Sequence, residues 1–458
     1  MIRRSLKRVH EMAGGLNVLE NFQDAEVCGV SIDSRNIEKN NLFIPLNGEN
    51  VNGHQYVEGA IKNGAAASLW EKGVPNPPVG LPLIIVEDAL AALQQLAKEY
   101  RSELSLKVVG VTGSNGKTTT KDMTASLLQT QYKVHKTSGN FNNHIGLPLT
   151  ILSMSEDTEA AVLEMGMSAR GEIKLLSEIG RPDVAVITNI GESHLLDLGS
   201  REEIANAKLE ILSGLSEDGV LIYHGDEPLL RDRIKAEFPK VRVLSFGRSE
   251  NNDMFPISIT QEKDSTSFTL NSNPDTVMTI PVLGNHNVLN AMASMLAAKE
   301  AGVPEASMQS GMDEIRLTNM RMEMVEGARG EKIINDAYNA SPTSMKAAIE
   351  LMEGMSGFRK KILVLGDMLE LGEQEGDYHR KIGEQISAEK IDQVFTFGPL
   401  AEKISEGALT VFSKEDVFAF QDKNELIEEL KKHTGTNDLI LVKASRGMKL
   451  EQVVSALR

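Results

Sequence analysis

The segment that most constrains this chain is Val108-Val-Gly-Val-Thr112, which runs into Gly113-Ser-Asn-Gly116-Lys117-Thr118-Thr119-Thr120 and then Lys121-Asp-Met-Thr-Ala-Ser-Leu-Leu128. An apolar β-branched run, a glycine-bearing turn and a helix-forming stretch predict a strand, a tight loop and a helix. Such a unit is an anion site, because loop and first-turn N–H groups converge and glycine lets the backbone approach a ligand closely. Lys117 is placed to neutralise β- and γ-phosphates, and Thr118 to offer its hydroxyl to Mg2+. The strict pattern G-x4-G-K-[ST] fails by one residue, since its first glycine falls on Val111. A flexible loop with a chance Lys-Thr pair is the competing reading; the strand before and the helix after weigh against it.

A unit of this kind needs a parallel sheet around it, and the chain is long enough to surround it. At 458 residues it has room for about three domains. The first block, 1–103, mixes short strands with turns such as Leu46-Asn-Gly-Glu-Asn-Val-Asn-Gly53. It closes on an amphipathic helix from Glu87 to Glu103, with Leu90, Leu93 and Leu96 at helical spacing. The second, 104–316, alternates helices with apolar strands such as 159–163 and 183–187, the pattern of a parallel sheet covered on both faces. The third, 317–458, repeats that style with strands at 332–334, 361–365, 393–397 and 439–442. The expected fold is α/β in three domains: a small α/β domain, a central P-loop-type doubly wound parallel sheet and a C-terminal Rossmann-like domain.

Charge and composition narrow the partners. The net charge of −17 leaves no excess of Lys and Arg for binding nucleic acid or an anionic membrane. The single cysteine, Cys28, cannot form an internal disulfide and fits a reducing compartment. Lys7, Arg8, His10 and Glu11 interrupt any apolar region behind the basic N-terminus, so no signal peptide is expected. No run of about 18 apolar residues is present to span a bilayer. A cytoplasmic, monomeric protein acting on small molecules is expected.

Metal candidates follow the loop. Glu164 ends the strand at 159–163, where a doubly wound sheet opens its ligand crevice. A Mg2+ carboxylate and a solvated strand-end acid both fit it. The next strand runs out through Thr188-Asn-Ile-Gly-Glu-Ser-His194. There His194 reads either as a ligand or as a hydrogen-bonding loop histidine. A helix beginning at Ser200, with Glu203 as capping-box partner, puts Ile204, Lys208, Ile211 and Leu215 on one face. Desolvation there disfavours the charged form of Lys208. A neutral amine can add CO2 to become a carbamate ligand; a lysine snorkelling from the edge of the core is the plainer reading.

Together these segments resemble the Mur ligases, three-domain enzymes of peptidoglycan-precursor synthesis. Thr112-Gly-Ser-Asn-Gly-Lys-Thr-Thr119 is similar to their nucleotide loop, and Gly284-Asn-His-Asn-Val-Leu-Asn290 to their adenine-contacting G-x-H-N-x-x-N segment. The resemblance implies that Gly113, Ser114, Asn115, Gly116, Lys117, Thr118, Thr119, Asn287 and Asn290 bind ATP. It also implies that Arg321 and Asp336 reach the nucleotide from the third block. Two Mg2+ ions would be held by Thr118, Glu164, His194 and a carbamate on Lys208, with Lys117, His194 and Lys208 catalytic.

Asp33-Ser34-Arg35, Leu42-Phe-Ile-Pro-Leu46 and Gly53-His54 resemble the family's UDP-binding first domain, implying substrate contacts by Ser34 and Arg35. Asn140-Phe-Asn-Asn-His144 resembles the loop meeting the nucleotide-sugar peptide, implying contacts by Asn140, Asn142 and Asn143. Asn335-Asp-Ala-Tyr338-Asn339-Ala-Ser-Pro342 resembles the D-x-Y-N-A-x-P motif, which adds Tyr338 and Asn339. His144 and Asn52 depart from the family pattern, which is acidic at both places. Leu365-Gly-Asp-Met-Leu-Glu-Leu-Gly372 resembles the D-M-L-E-L-G segment of the members that add D-alanyl-D-alanine to a UDP-muramoyl tripeptide through an acyl phosphate.

A folylpolyglutamate-type ligase is the nearest rival, and the Asp33-Ser-Arg35 and Asp367-Met-Leu-Glu-Leu371 segments argue against it. A nucleotide-switch regulator would carry N-K-x-D, which is absent, and no G-x-G-x-x-G supports a dinucleotide oxidoreductase.

Overall fold

A computed structural model describes residues 1–19, 22–48 and 51–458. The turn expected over 46–53 includes residues 49 and 50, which lie outside the described residues. In the N-terminal domain, parallel strands Val30–Ser31, Leu42–Phe43, Ala67–Glu71 and Leu83–Val86 form one sheet in that order. Its closing helix is Ala89–Glu103, two residues shorter at the start than the spacing predicts, because Asp88 is the N-cap and its side chain accepts from Ala91 N–H.

That helix is an anchor as well as a terminus. Buried Tyr100 donates its hydroxyl to the Met154 carbonyl at 2.9 Å, and Arg101 Nε donates to the Gly180 carbonyl at 3.0 Å. Leu93, Leu96 and Ala97 share one continuous core with Leu147, Ile151, Leu163 and Leu176 of the central domain. The N-terminal and central domains are therefore joined by apolar burial.

The central sheet is wholly parallel, in the order Val134–Lys136, Ala160–Glu164, Lys107–Thr112, Val184–Ile187, Val220–His224, Arg242–Phe246. The strand before the glycine loop is thus central, and strand order reverses on either side of it, which opens a crevice at the carboxyl ends of its neighbours. Glu164 ends one neighbour, and Thr188 and Asn189 follow the other. The long helix Asn285–Glu300 is buried along most of its length and packs beside the helix Lys117–Leu128. An antiparallel sheet of Pro256–Gln261, Thr266–Leu270 and Asn273–Ile280 interrupts the strand–helix alternation expected over this block. Its middle strand alternates buried and half-buried residues, as a sheet with one covered face should.

The C-terminal sheet runs Glu323–Glu326, Lys332–Asp336, Leu439–Lys443, Lys361–Gly366, Gln393–Phe397, Val417–Phe420. Its first strand is antiparallel to the second and the rest are parallel, so the expected Rossmann-like sheet gains an antiparallel edge. A core lies on each face of this sheet, and one of them reaches Leu283 of the central domain. Among the described residues, no helix is long and apolar enough to cross a membrane.

Candidate active site

The loop after Lys107–Thr112 can turn as it does only because two positions lack a side chain. Gly113 has φ +145°, and a Cβ there would lie 1.8 Å from Thr188 Oγ1. Gly116 has φ +80° and caps the helix; a Cβ there would meet Asn290 Oδ1 at 2.5 Å. Val111, where the strict pattern wants glycine, is a fully buried strand residue. The loop is bolted down by two residues that carried no functional marker of their own, Thr188 and Asn189. Ser114 N–H donates to the Asn189 carbonyl at 3.1 Å, Asn115 N–H to Asn189 Oδ1 at 2.9 Å, and Thr188 Oγ1 to the Asn115 carbonyl at 2.5 Å. Both belong to the Thr188–His194 segment, whose polar run was the available signal.

A cleft of about 680 Å³ opens above the loop, between the central and C-terminal domains. It is lined by Ser114, Asn115, Gly116, Lys117, Thr118 and Thr119, by Glu164 and His194, and from across the gap by Arg321, Asp336, Tyr338 and Asn339. Asn142, Asn143, Asn287 and Asn290 also border it. The two helix asparagines work within the protein. Asn290 accepts from Thr120 Oγ1 at 3.3 Å and donates to Asn287 Oδ1 at 3.0 Å, and Asn287 donates to the Leu283 carbonyl at 2.7 Å.

Lys117 Nζ folds back on its own loop, donating to the Gly113 carbonyl at 2.7 Å and the Ser114 carbonyl at 3.2 Å. Desolvation pulls its ammonium down to about 8, with Glu164 opposing and Arg321 adding to that shift. Arg321 lies over the Tyr338 ring at 3.9 Å and donates through Nη2 to Thr118 Oγ1 at 3.3 Å. Asp336 accepts from Met322 N–H at 3.2 Å and from Lys443 Nζ at 2.5 Å; Lys443 also donates to the Asn339 carbonyl at 3.0 Å. Lys443 had no marker in the sequence, since it lies more than a hundred residues from its partner.

The expected metal ligands carry unused capacity. Glu164 is buried, its Oε1 accepting from Asn142 Nδ2 at 2.8 Å while Oε2 has no partner. His194, with φ +64°, has Nδ1 at 2.8 Å from Glu370 Oε2, off the line of a hydrogen bond. Desolvation, then the Lys117 and Lys208 charges, push His194 down to about 4, so its ring is neutral at pH 7. Lys208 is 1% exposed, and among the described residues nothing hydrogen-bonds or ion-pairs with its Nζ. Its amine is held well below the ordinary range by desolvation and then by Lys117. A buried cation with no partner is costly, whereas a neutral amine is not.

The helix carrying Lys208 runs Arg201–Leu209 and gives way to a 3-10 turn, Glu210–Gly214. Ile204 and Ile211 are buried as expected, but Leu215 lies beyond the helix in extended backbone. Only half of the expected capping box forms. Ser200 Oγ accepts from Glu203 N–H at 3.2 Å, while the Glu203 carboxylate turns to Arg170 and Asn206.

Five of the residues expected at the site do not line the cleft. Gly113, the first residue of the loop, is not in the lining, and Lys208 is close enough to Lys117 and His194 for charge but does not border the opening. Asn140 is exposed. Ser34 and Arg35 stand on the N-terminal domain, where Arg35 is exposed and donates to Asp33 at 2.9 Å.

Known proteins resemble the chain along its whole length. Residues 26–101 match a model described as Mur ligase family, catalytic domain; residues 111–298 match the Mur ligase middle domain; residues 320–446 match Mur ligase, glutamate ligase domain. The UDP-N-acetylmuramoyl-tripeptide–D-alanyl-D-alanine ligase of Bacillus subtilis (strain 168) is 53% identical over 457 residues, covering 100% of this chain and 99% of its own. A crystal structure of MurF from Acinetobacter baumannii superposes with a TM-score of 0.90 at 29% identity, covering 100% of this chain and 99% of that one. MurF ligase from Thermotoga maritima in complex with ADP superposes with a TM-score of 0.81 at 31% identity, covering 94% of this chain and 96% of that one. With every block of the chain matched and a full-length relative more than half identical, the chain belongs to the Mur ligase family.

Proposed function

We propose that this chain is an ATP-dependent ligase that joins D-alanyl-D-alanine to UDP-N-acetylmuramoyl tripeptide, releasing ADP and phosphate. The observation that carries the reading is the meeting, in one interdomain cleft, of the glycine loop with Lys117 and Thr118, the strand-end Glu164, and Arg321 from the other domain. Those groups suit phosphoryl transfer to a carboxylate, which is otherwise a poor acylating agent. A carboxylate oxygen of the tripeptide attacks the γ-phosphorus and ADP leaves. The dipeptide amine then attacks the acyl carbonyl, phosphate leaves, and a proton is lost from nitrogen.

In this reading Lys117 leaves its own loop carbonyls for the β- and γ-phosphates, and Arg321 approaches the same oxygens from the C-terminal domain. Ser114, Asn115, Gly116 and Thr119 present backbone groups to the phosphates, and Asp336, held by Lys443, faces the nucleotide. Two Mg2+ ions, when bound, would neutralise phosphoryl charge and orient the carboxylate. Thr118, Glu164 with its unpartnered Oε2, the neutral His194 and a carbamate on Lys208 would hold them. The carbamate forms when the neutral Nζ adds to CO2 and loses a proton. Ser34 and Arg35 are assigned to the UDP end, and Asn140, Asn142, Asn143, Tyr338 and Asn339 to the peptide end. Domain limits at 103/104 and 316/317, a monomeric state and a cytoplasmic location complete the proposal.

Phosphate release from ATP and Mg2+ tests it, with UDP-muramoyl tripeptide and D-alanyl-D-alanine supplied singly and together. Release that requires both, with a UDP-pentapeptide product, is the expected result. Release only with a folate and glutamate would overturn the substrates and keep the chemistry.

A further inference from the structure

The segment Asp367-Met-Leu-Glu-Leu-Gly372 has no role in the chemistry above, yet nearly every residue in it is tied down. Buried Asp367 accepts from Ala401 N–H at 2.7 Å. Met368 N–H donates to His379 Nε2 at 2.8 Å, Leu369 N–H donates to Ser445 Oγ at 2.9 Å, and Leu371 is buried. The effect is to hold Glu370 in the left-handed region, at φ +66°, an unusual place for a residue with a Cβ.

Held there, Glu370 faces the other domain. Its carbonyl accepts from Leu196 N–H at 3.0 Å, and its carboxylate oxygen lies 2.8 Å from His194 Nδ1. Gly372, at φ +76°, is also in the left-handed region, where a Cβ would lie in ordinary contact with Leu196 Cα at 3.7 Å. A second contact clamps the same central-domain loop. Glu192 accepts from Thr343 Oγ1 at 2.8 Å and Thr343 N–H at 3.3 Å, at the start of the helix Pro342–Gly354. His194 thus lies in a segment gripped from the C-terminal domain on both sides.

A histidine that binds a metal through one ring nitrogen commonly gives the N–H of the other to a carboxylate, which selects the tautomer and the ring orientation. Glu370 stands at the right distance from Nδ1 for that duty, and a turn of the ring would bring the N–H onto it. We propose that Glu370 is a positioning residue for His194, supplied by the C-terminal domain. It holds Nδ1 and leaves Nε2 for a divalent cation, so the cation site is complete only while the two domains are docked. The inference rests on the proposal that His194 is a metal ligand. The Asp367–Gly372 segment then acts as a rigid arm that couples domain docking to cation affinity.

The full-length chain is titrated with Mn2+, free ion being read by electron paramagnetic resonance, beside His194→Ala, Glu370→Ala, Glu370→Gln and Asp197→Asn. Asp197 serves as control because its carboxylate lies within 4.8 Å of both His194 and Glu370. Glu370→Ala is expected to weaken the His194-dependent site about 10–100-fold. Glu370→Gln, whose amide oxygen can still accept the N–H, should lose less, and Asp197→Asn little. If His194→Ala leaves Mn2+ affinity unchanged, the ligand assignment fails and takes this inference with it. If His194→Ala weakens binding but Glu370→Ala does not, the inference alone fails. Equal losses in Glu370→Ala, Glu370→Gln and Asp197→Asn would make the carboxylates direct ligands and overturn the positioning role.

Discussion

Lys117 and Lys208 are one residue type in two different surroundings, each suited to the use proposed for it. Lys117 has carbonyl partners within its own loop and keeps a proton to about pH 8, so it can act as a cation toward phosphate. Lys117→Ala removes that charge without cutting into the core, and turnover should fall by on the order of 10³-fold or more. A steady-state assay beside far-UV circular dichroism checks it; near-normal turnover in the folded variant would refute the role. Lys208 has no hydrogen-bond or ion-pair partner among the described residues, which suits an amine that reacts with CO2. Lys208→Ala should be nearly inactive and partly restored by short carboxylic acids, which can fill the space and charge of a carbamate. Absence of rescue across a concentration series counts against the carbamate. The unusual placement of Lys208 was legible in the sequence, because helical spacing set it among Ile204 and Ile211. Lys443 was not, because nothing local distinguishes it from any other strand-end lysine.

At the scale of elements, the strand–loop–helix around Gly113 was legible because each part obeys local rules of propensity and turn chemistry. The missing glycine at Val111 did not matter, since Gly113 and Gly116 take the two positive-φ positions that this turn requires. Caps were readable in part: Ser200 was read, while the Asp88 N-cap and the turn of Glu203 toward Arg170 were not. Ser200 Oγ satisfies Glu203 N–H at the start of the helix bearing Lys208. Ser200→Ala should therefore cost about 1 kcal/mol and Ser200→Gly less, as measured by urea denaturation. The antiparallel strands between Pro256 and Ile280 and the edge strands Glu323–Glu326 and Val417–Phe420 were not read. The outer strands Pro256–Gln261 and Asn273–Ile280 are largely solvent-facing, the two edge strands are four residues long, and one of the three residues that Thr266–Leu270 buries is a threonine, so apolar periodicity does not announce them.

Across the whole molecule, the two domain junctions differ in kind. One apolar core runs from the N-terminal domain into the central one, whereas among the described residues the C-terminal cores take in only Leu283 from the central domain, and the C-terminal domain meets the cleft through polar contacts such as Arg321–Thr118 and Thr343–Glu192. Calorimetry should show the first two domains unfolding together and the third as a distinct transition; a single transition without nucleotide would contradict this. Acid sensitivity should also reach the C-terminal domain early. His379 is fully buried, accepts from Met368 N–H through Nε2 and donates through Nδ1 to the Glu375 carbonyl, a pattern only the neutral ring can make. Desolvation holds it below its ordinary 6.5 against the opposing pull of Glu375 and Asp367. The unfolded chain therefore binds the extra proton first, and stability falls as pH drops below 6.5, by at most about 1.4 kcal/mol per pH unit for this group. Thermal melts of wild type and His379→Gln between pH 7.5 and 5 should show a shallower decline in the variant. What the sequence determined by itself was local: a strand–glycine loop–helix unit, helix caps, buried parallel strands, and carboxylate and imidazole groups at strand exits, because φ/ψ preference and side-chain period act over a few residues. Only the tertiary structure decided which of those groups meet. Sheet order sets Asn189 under the loop, and domain docking brings Arg321 to Thr118 and Glu370 to His194, contacts between distant residues that no local pattern encodes.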